Sequence, residues 1–301
     1  MPPFFPKFGP IELSDRAVIA EFLARYRPQT SELTFTNLFI WRAYYGWEWS
    51  ILDDRLIFIA AREKERQFAL MPVGAPPRAV TVRVLLSHLR DERGVKDPTI
   101  ERADDRLARE LSENPDFVIE AAREHFDYVY RTADLIELAG RKYHSKRNFL
   151  NRFSLDYSFA YEPIEERHIA PCVELADRWC KIRRCQDDMG LLSEHDAVVE
   201  ALTHFFDLSL SGGAIVIDGR VEAFALGEAL NPETAVIHVE KADPEIRGLY
   251  AVINHEFVKG SPSGFAYVNR EQDLGDEGLR KAKESYFPER LEKKYRITIS
   301  G

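Results

Sequence analysis

Val268-Asn269-Arg270-Glu271-Gln272-Asp273-Leu274-Gly275-Asp276-Glu277-Gly278-Leu279-Arg280-Lys281-Ala282-Lys283-Glu284-Ser285-Tyr286 follows the apolar run Phe265–Val268 and opens a helix expected from about Asp276 to Ser285. Asn, Arg, Glu, Gln and Asp are packed together where a buried strand ends and a helix begins. Loops at strand ends are where α/β folds place their chemistry. Polar groups held there cost free energy unless they find partners or a ligand. Arg270 offers a bidentate clamp for a carboxylate or phosphate, Asn269 a partner for an amide, and Glu271 and Asp273 acceptors for an ammonium. Arg280 and Lys283 are three apart, share a helix face and add positive charge to the same rim, with Tyr286 three residues further on. The same residues also read as a capped helix with a satisfied polar network and solvated charges.

Outward from this stretch, one order of elements occurs twice. In the first half a short strand, Ile11–Leu13, precedes a helix capped by Ser14 with Val18, Ile19, Phe22, Leu23 and Tyr26 on one face. A second helix is expected over Thr36–Tyr45, apolar nearly all round except for Asn37. Trp47–Leu52 and Arg55–Ala61 form a hairpin turning at Asp53-Asp54, followed by a strand Gln67–Pro72, a helix Arg78–Arg90, a strand Thr99–Arg102, a helix Asp104–Ser112, and strands Phe117–Glu120 and Tyr128–Arg131. In the second half Tyr157–Tyr161 is a strand and Glu165–Arg183 and Ser193–Leu208 are helices. A hairpin pairs Ala214–Asp218 with Val221–Gly227. Then come a strand Ala235–Val239, a helix Pro244–Lys259, the strand Phe265–Val268, the helix Gly275–Tyr286 and a last strand Tyr295–Ile299. Both halves read β-α-α-β-β-β-α-β-α-β. The fold class is α+β with mixed sheets, in two domains, 1–140 and 156–301, joined by a basic helix over 141–155.

The 301 residues are 45% hydrophobic and 30% charged, an ordinary globular balance for one large or two medium domains. A net charge of -9 argues against broad non-specific nucleic-acid binding but leaves room for one local basic face. Cys172, Cys180 and Cys185 fit no zinc spacing, with His168 and His195 at no ligand spacing either, so no metal is expected. Cys172 and Cys180, with apolar residues between them on a helix, read as buried free thiols, and the odd cysteine count points to a reducing compartment. The N-terminus has no apolar core of signal-peptide length, and no run approaches the roughly 18–20 apolar residues of a membrane span. A cytoplasmic protein without stable membrane insertion is expected.

Four segments carry a family resemblance: Phe35-Thr36-Asn37-Leu38-Phe39-Ile40-Trp41, Lys146-Arg147-Asn148-Phe149-Leu150-Asn151-Arg152-Phe153, Ala176-Asp177-Arg178-Trp179-Cys180, and Asn269–Gly275 with Gly278-Leu279-Arg280. With the doubled element order, the chain resembles two tandem acyltransferase domains of the Gcn-related N-acetyltransferase (GNAT) type. Within that fold it is similar to the family named for the phosphatidylglycerol lysyltransferase C-terminal domain. The resemblance implies transfer of an aminoacyl group from an aminoacyl-tRNA to an amine or hydroxyl acceptor. A non-catalytic module that binds a small molecule or amino acid, and an enzyme dependent on acetyl coenzyme A, stay open beside it.

In acetyltransferases of this fold the turn entering the helix after the fourth strand grips the cofactor pyrophosphate, with Arg or Gln, two residues, Gly, one residue, then Gly or Ala. Here Arg247 and Gly248 stand at the wrong spacing, and Asp243 and Glu245 add negative charge. Coenzyme A is therefore the weaker cofactor candidate. Pro72–Arg78 in the first half is no closer to the pattern. Glu240, just past the strand Ala235–Val239, is placed to deprotonate an attacking amine, or to pair with Lys241. His238 alternates with Ile237 and Val239 and lines either the cleft or the other face of the sheet. Arg141, Lys142, Lys146, Arg147 and Arg152, interleaved with Tyr143, Phe149 and Phe153, can hold an RNA backbone. Within this cluster Lys142, Lys146 and Arg147 are the candidates for tRNA contact. The same segment also reads as an amphipathic helix with a basic outer face.

Overall fold

The structure, a computed structural model, describes residues 1–63 and 66–300. Its strands are β1 (Gly9–Pro10), β2 (Trp47–Leu52), β3 (Arg55–Ala60), β4 (Phe68–Leu70), β5 (Ile100–Asp104), β6 (Phe117–Ala121), β7 (Asp127–Arg131), β8 (Phe159–Pro163), β9 (Ser211–Ile217), β10 (Arg220–Asn231), β11 (Thr234–Ala242), β12 (Tyr267–Asn269), β13 (Arg290–Glu292) and β14 (Lys294–Ile299). The α-helices are α1 (Arg16–Tyr26), α2 (Phe35–Ile40), α3 (Arg42–Tyr45), α4 (Ala79–Asp91), α5 (Asp105–Leu111), α6 (Thr132–Glu137), α7 (His144–Asp156), α8 (Glu166–Arg183), α9 (Met189–Thr203), α10 (Leu249–Gly260) and α11 (Glu277–Glu284).

The chain divides into two compact units. One holds residues Met1–Asp127, Gln272–Arg280 and the C-terminal segment from Leu291; the other holds Tyr128–Glu271 and Lys281–Arg290. The first sheet has the order β1-β2-β3-β4-β5-β14-β6 and the second β13-β7-β12-β11-β10-β9-β8. Read from β1 and from β8, the two orders match position by position. β4 pairs parallel with β5, and β11 with β12, because each pair is linked by a crossover helix, α4 or α10. The hairpins β2–β3 and β9–β10 turn at Asp53-Asp54 and Asp218-Gly219, all with positive φ, the backbone demanded by a two-residue turn that matches strand twist. Central strands have buried middles: Leu56–Ile59 in β3 and Ala223–Leu226 in β10 are fully covered.

The domains differ from the contiguous halves expected over 1–140 and 156–301. β14 was expected in the second domain but pairs between β5 and β6 in the first sheet. β7 was expected in the first domain but pairs with β12 in the second. The sixth strand of each sheet thus comes from the other half of the sequence. In the first unit the reason is a buried ammonium. Lys294, fully covered, donates to Asp127 Oδ1 and Glu32 Oε1, both at 2.6 Å, and to Gln272 Oε1 at 3.3 Å. Asp127 also accepts from the Ser31 N–H at 2.8 Å and its hydroxyl at 3.0 Å. Burial alone would favour neutral lysine, but the two carboxylates outweigh it and raise the Lys294 pKa.

Residues 141–155 are not a connector. Arg141–Tyr143 form a 3-10 turn, and α7 belongs to the second unit, packed on α10 with Phe153 buried. The expected helix Pro244–Lys259 starts only at Leu249, because Gly248 takes φ +88° at its N-cap. The helix expected from Ser193 starts at Met189, capped by Asp188, whose carboxylate accepts from the Gly190 and Leu191 N–H groups. Cys180 and Cys185 form a disulfide rather than free thiols. The left-handed residue Arg184 ends α8 and reverses the chain, bringing their Cα atoms to 5.2 Å. Cys172 is the buried free cysteine. Among the described residues, no helix is long and apolar enough to cross a membrane.

Replacing Lys294 by Met leaves two carboxylates buried without their cation. Breaking such a cluster from one side costs about 3–5 kcal/mol. Urea unfolding of Lys294→Met is expected to show a loss of that size; a loss under about 1 kcal/mol would show that the cluster does not anchor β14.

Candidate functional site

In the second unit β11 and β12 pair only through Thr234–Val236 and Tyr267–Asn269. Beyond Asn269 the chain leaves the sheet through Glu271, at φ +58°, while β11 continues to Ala242. A gap opens where the two parallel strands part, and alternating side chains of β11, His238 and Glu240, face it. Lys241 points the other way, donating to Glu194 at 2.7 Å and lying 3.5 Å from the Trp179 ring centre.

Glu240 is the hub. Its Oε2 accepts from Arg270 Nη2 at 2.5 Å and its Oε1 from Asn254 Nδ2 on α10 at 2.6 Å. The Arg270 guanidinium lies 4.9 Å from the Tyr286 ring centre and 5.7 Å from that of Tyr130. Burial opposes its charge, but Glu240 overrides this and raises its pKa. Its Nε and Nη1 atoms are buried without a hydrogen-bond partner, as is the Asn254 Oδ1. On the same Tyr286 ring, 3.8 Å from its centre, sits the Lys146 ammonium from α7. Burial, then the charge of Arg270, pulls the Lys146 pKa down to about 8. Burial raises the Tyr130 and Tyr286 hydroxyls, keeping both neutral.

Beside this cluster His238 is clamped by two carboxylates. Nδ1 meets Glu271 Oε1 at 2.8 Å and Nε2 meets Glu228 Oε1 at 2.9 Å, with the imidazole side chain only 2% exposed. Glu228 is brought there by a register shift after Leu226, where a side chain on Gly227 would meet the Val236 carbonyl at 2.4 Å. Asn269 closes the end of β12, its Oδ1 accepting the Glu271 N–H at 2.8 Å. Lys283 donates to the Arg270 carbonyl and, at 3.4 Å, to that of Glu271, while its own carbonyl accepts from Tyr130 at 2.8 Å. Asn269 and Lys283 thus fix the loop that carries Arg270.

The structure therefore gathers Glu240, Arg270, Glu271, His238, Lys283, Asn269 and Tyr286 in the second unit, and adds Lys146. Asp273 and Arg280 belong to the first unit. There Asp273 is fully buried against Arg280, at 2.8 and 3.0 Å, and Arg123, at 3.1 Å. Arg280 and Lys283 consequently do not add charge to one rim. Arg147 is committed to the carbonyls of Leu138 and Gly140, and Lys142 lies 3.5 Å from Asp134. At the start of α10, Arg247 lies 5.9 Å from the Phe149 ring, and a side chain at Gly248 would be within 4.0 Å of Phe149 and Phe153. Sequence reasoning missed Tyr130, Asn254 and Glu228. Asn254 carried a signal as a polar residue among Val252, Ile253, Phe257 and Val258 on the buried side of α10. Among the described residues no three His, Cys, Asp or Glu side chains converge as a metal site. Unpaired donors on a buried cation, with an unpaired acceptor across the same carboxylate, suit a group carrying both a carbonyl or carboxylate oxygen and an ammonium.

Burial would lower the His238 pKa, but the hydrogen bonds and charges of Glu228 and Glu271 outweigh it and push it up to about 10. A group raised in the folded state stabilises fully below its unfolded value, about 6.5, and loses that contribution as pH climbs through about 10. The His238 ring nitrogens are expected to give the protonated NMR signature at pH 8; a neutral ring at that pH would refute the double clamp.

Comparison with known proteins bears on this geometry. The pattern of the family described as phosphatidylglycerol lysyltransferase, C-terminal, matches residues 23–298. The crystal structure of a conserved protein of unknown function from Bacteroides thetaiotaomicron superposes with TM-score 0.90 at 35% identity, covering 97% of this chain and 99% of that one. The C-terminal domain of a putative lysylphosphatidylglycerol synthetase from Agrobacterium fabrum superposes with TM-score 0.67 at 14% identity, over 96% of this chain and 93% of its own, a likeness of fold alone. An uncharacterized protein of Mycoplasmoides gallisepticum is 26% identical over 176 residues, 58% of this chain, and the match spans only 56% of that relative's length. Both units have the GNAT-like acyltransferase fold, in tandem. With residues 23–298 inside one family pattern and a 35%-identical relative matched along nearly its whole length, the chain belongs to the phosphatidylglycerol lysyltransferase C-terminal family.

Proposed function

We propose that the second unit transfers an aminoacyl group from an aminoacyl ester, with charged tRNA as donor, to an amine or hydroxyl acceptor. The observation that carries this reading is the buried Arg270, held by Glu240 through one nitrogen while Nε and Nη1 make no hydrogen bond. Two fixed donors in a site shielded from water suit the oxygen that gains charge when an ester carbonyl is attacked. The unpaired Asn254 Oδ1, on the other side of Glu240, suits the ammonium of an aminoacyl group. Lys146 shares the Tyr286 ring with Arg270 and titrates at about 8, so it is partly neutral near physiological pH.

The neutral Lys146 amine takes the proton of the attacking amine or hydroxyl. A bond forms from that nucleophile to the ester carbon, the oxyanion is held by Arg270, and the bond to the donor's ribose oxygen breaks. Lys146 returns the proton to that oxygen. Glu240 orients Arg270 and Asn254; both its oxygens are occupied by them, which makes it a positioning residue. A coenzyme A donor is less well supported, because Asp243 caps the turn before α10 by accepting the Glu245 N–H at 2.9 Å, which places a carboxylate where a pyrophosphate would approach.

Purified protein mixed with labelled aminoacyl-tRNA and a panel of amine and hydroxyl acceptors tests the reading. Acyl transfer is expected above the protein-free rate and to drop about 10²–10³-fold in Arg270→Gln, the size of losing an oxyanion donor. The rate should rise with pH through about 8, and Lys146→Met should abolish that rise. No transfer with any acceptor, or a pH profile unchanged in Lys146→Met, contradicts the reading or the role of Lys146 respectively.

A further inference from the structure

The first unit holds a separate hollow of about 650 Å³, within the size range of small-ligand pockets. It lies between α1, the loop from Gly74 to Arg78 and α5. Four arginines line it, Arg25, Arg78, Arg106 and Arg109, against two acids, Asp54 and Glu110. Each arginine meets a carboxylate, Arg25 at Asp54, Arg78 at Glu110, Arg106 at Asp104 and Arg109 at Asp105, so the hollow offers guanidinium donors rather than net charge.

The arginines are held in place rather than scattered. The Tyr26 hydroxyl donates to Asp104 at 2.7 Å and accepts from Arg78 at 2.9 Å, and the Arg106 guanidinium lies 4.0 Å from the Tyr26 ring centre. Arg106 also donates through Nε to Asp104 at 2.8 Å and through Nη1 to the Tyr26 carbonyl at 3.1 Å. Its Nη2 is buried without a partner. Arg78, 3% exposed, donates through Nε to Glu110 at 2.8 Å, and the backbone N–H of Arg78 donates to the other oxygen of the same carboxylate. A carboxylate of the protein thus occupies the start of α4, so backbone amides there are not the free anion donors. Pro76 and Pro77 in the same loop carry no N–H at all. The free donors are side chains. Arg25 and Arg109 stand at the rim, 51% and 81% exposed, paired with the exposed Asp54 at 3.7 Å and with Asp105 one helical turn away. Arg55 pins the loop from behind, donating to the carbonyls of Ala75 and Pro77 at 3.1 and 3.0 Å.

We infer that this hollow binds a phosphate ester, its phosphate oxygens taken by Arg106, Arg109 and Arg25 and its apolar remainder by Phe22, Ala75 and Pro76. Planar guanidinium forks match phosphate geometry, and the exposed rim arginines exchange their acids, the exposed Asp54 and the half-buried Asp105, for it. The inference is independent of acyl transfer at Arg270. Calorimetric titration of the full chain with inorganic pyrophosphate, and in a second arm with dioctanoyl phosphatidic acid below its micelle concentration, tests it. At least one probe should bind, at least tenfold more weakly in Arg106→Gln and in Arg109→Gln, and undiminished in Arg90→Gln, which removes an exposed charge from α4 outside the hollow. Tighter binding of pyrophosphate assigns the site to a soluble ester, and tighter binding of the lipid to a lipid headgroup; either supports the inference. Failure of both probes to bind at millimolar concentration overturns it, and so does an affinity unchanged in the well-exposed Arg109→Gln variant.

Discussion

A guanidinium buried where two parallel strands part is the constraint on which the second unit's chemistry depends. Taking Arg270 out of water is costly, and the cost is offset by the Glu240 carboxylate and two aromatic faces. That compensation is incomplete by two N–H donors. Everything near the gap keeps the incompleteness in place: Asn269 and Lys283 fix the loop backbone, Asn254 shares Glu240, and Tyr286 holds Arg270 and Lys146 on one ring. Buried polar groups are ordinarily paired, and the proposed acyl-donor site rests on these unpaired donors of Arg270.

The doubled architecture explains why such a gap exists. Each sheet has a parallel pair joined by a crossover helix, and a sixth strand supplied from the other half of the sequence. In the second unit that strand, β7, brings Tyr130 to the cluster. In the first unit β14 brings Lys294 to Asp127 and Glu32. The matching position in the two sheets serves the Arg270–Glu240 cluster in one and a buried lysine–carboxylate anchor in the other. A shared fold leaves chemistry to individual side chains.

Local features were legible in the sequence. The hairpin at Asp53-Asp54, the strands of the β9–β10 hairpin, the helices α1 and α8 and the doubled element order follow from short-range periodicity and turn chemistry, although the β9–β10 turn falls at Asp218-Gly219 and not at the expected Gly219-Arg220. The exchange of β7 and β14 was not legible, because an apolar alternation states that a strand exists and not which strand it pairs with. For the same reason Asp273 and Arg280 read as neighbours of Arg270 while their side chains serve the first unit. Glu240, Arg270 and His238 could be singled out as polar groups beside buried strands. Their partners Asn254, Tyr130 and Glu228 lie 10 to 140 positions away from them and carry no pattern joining them to the site. Cys180 and Cys185 misled because the reversal at Arg184 depends on a non-glycine residue adopting φ +53°.

The central claim is that the unpaired face of Arg270 receives the acyl donor. The most direct measurement follows the Arg270 Nε–H resonance by ¹⁵N NMR while a non-hydrolysable, amide-linked aminoacyl-adenosine is added. A shift of that resonance that saturates with binding is predicted. Saturating binding that leaves the Nε–H resonance where it was would contradict the account.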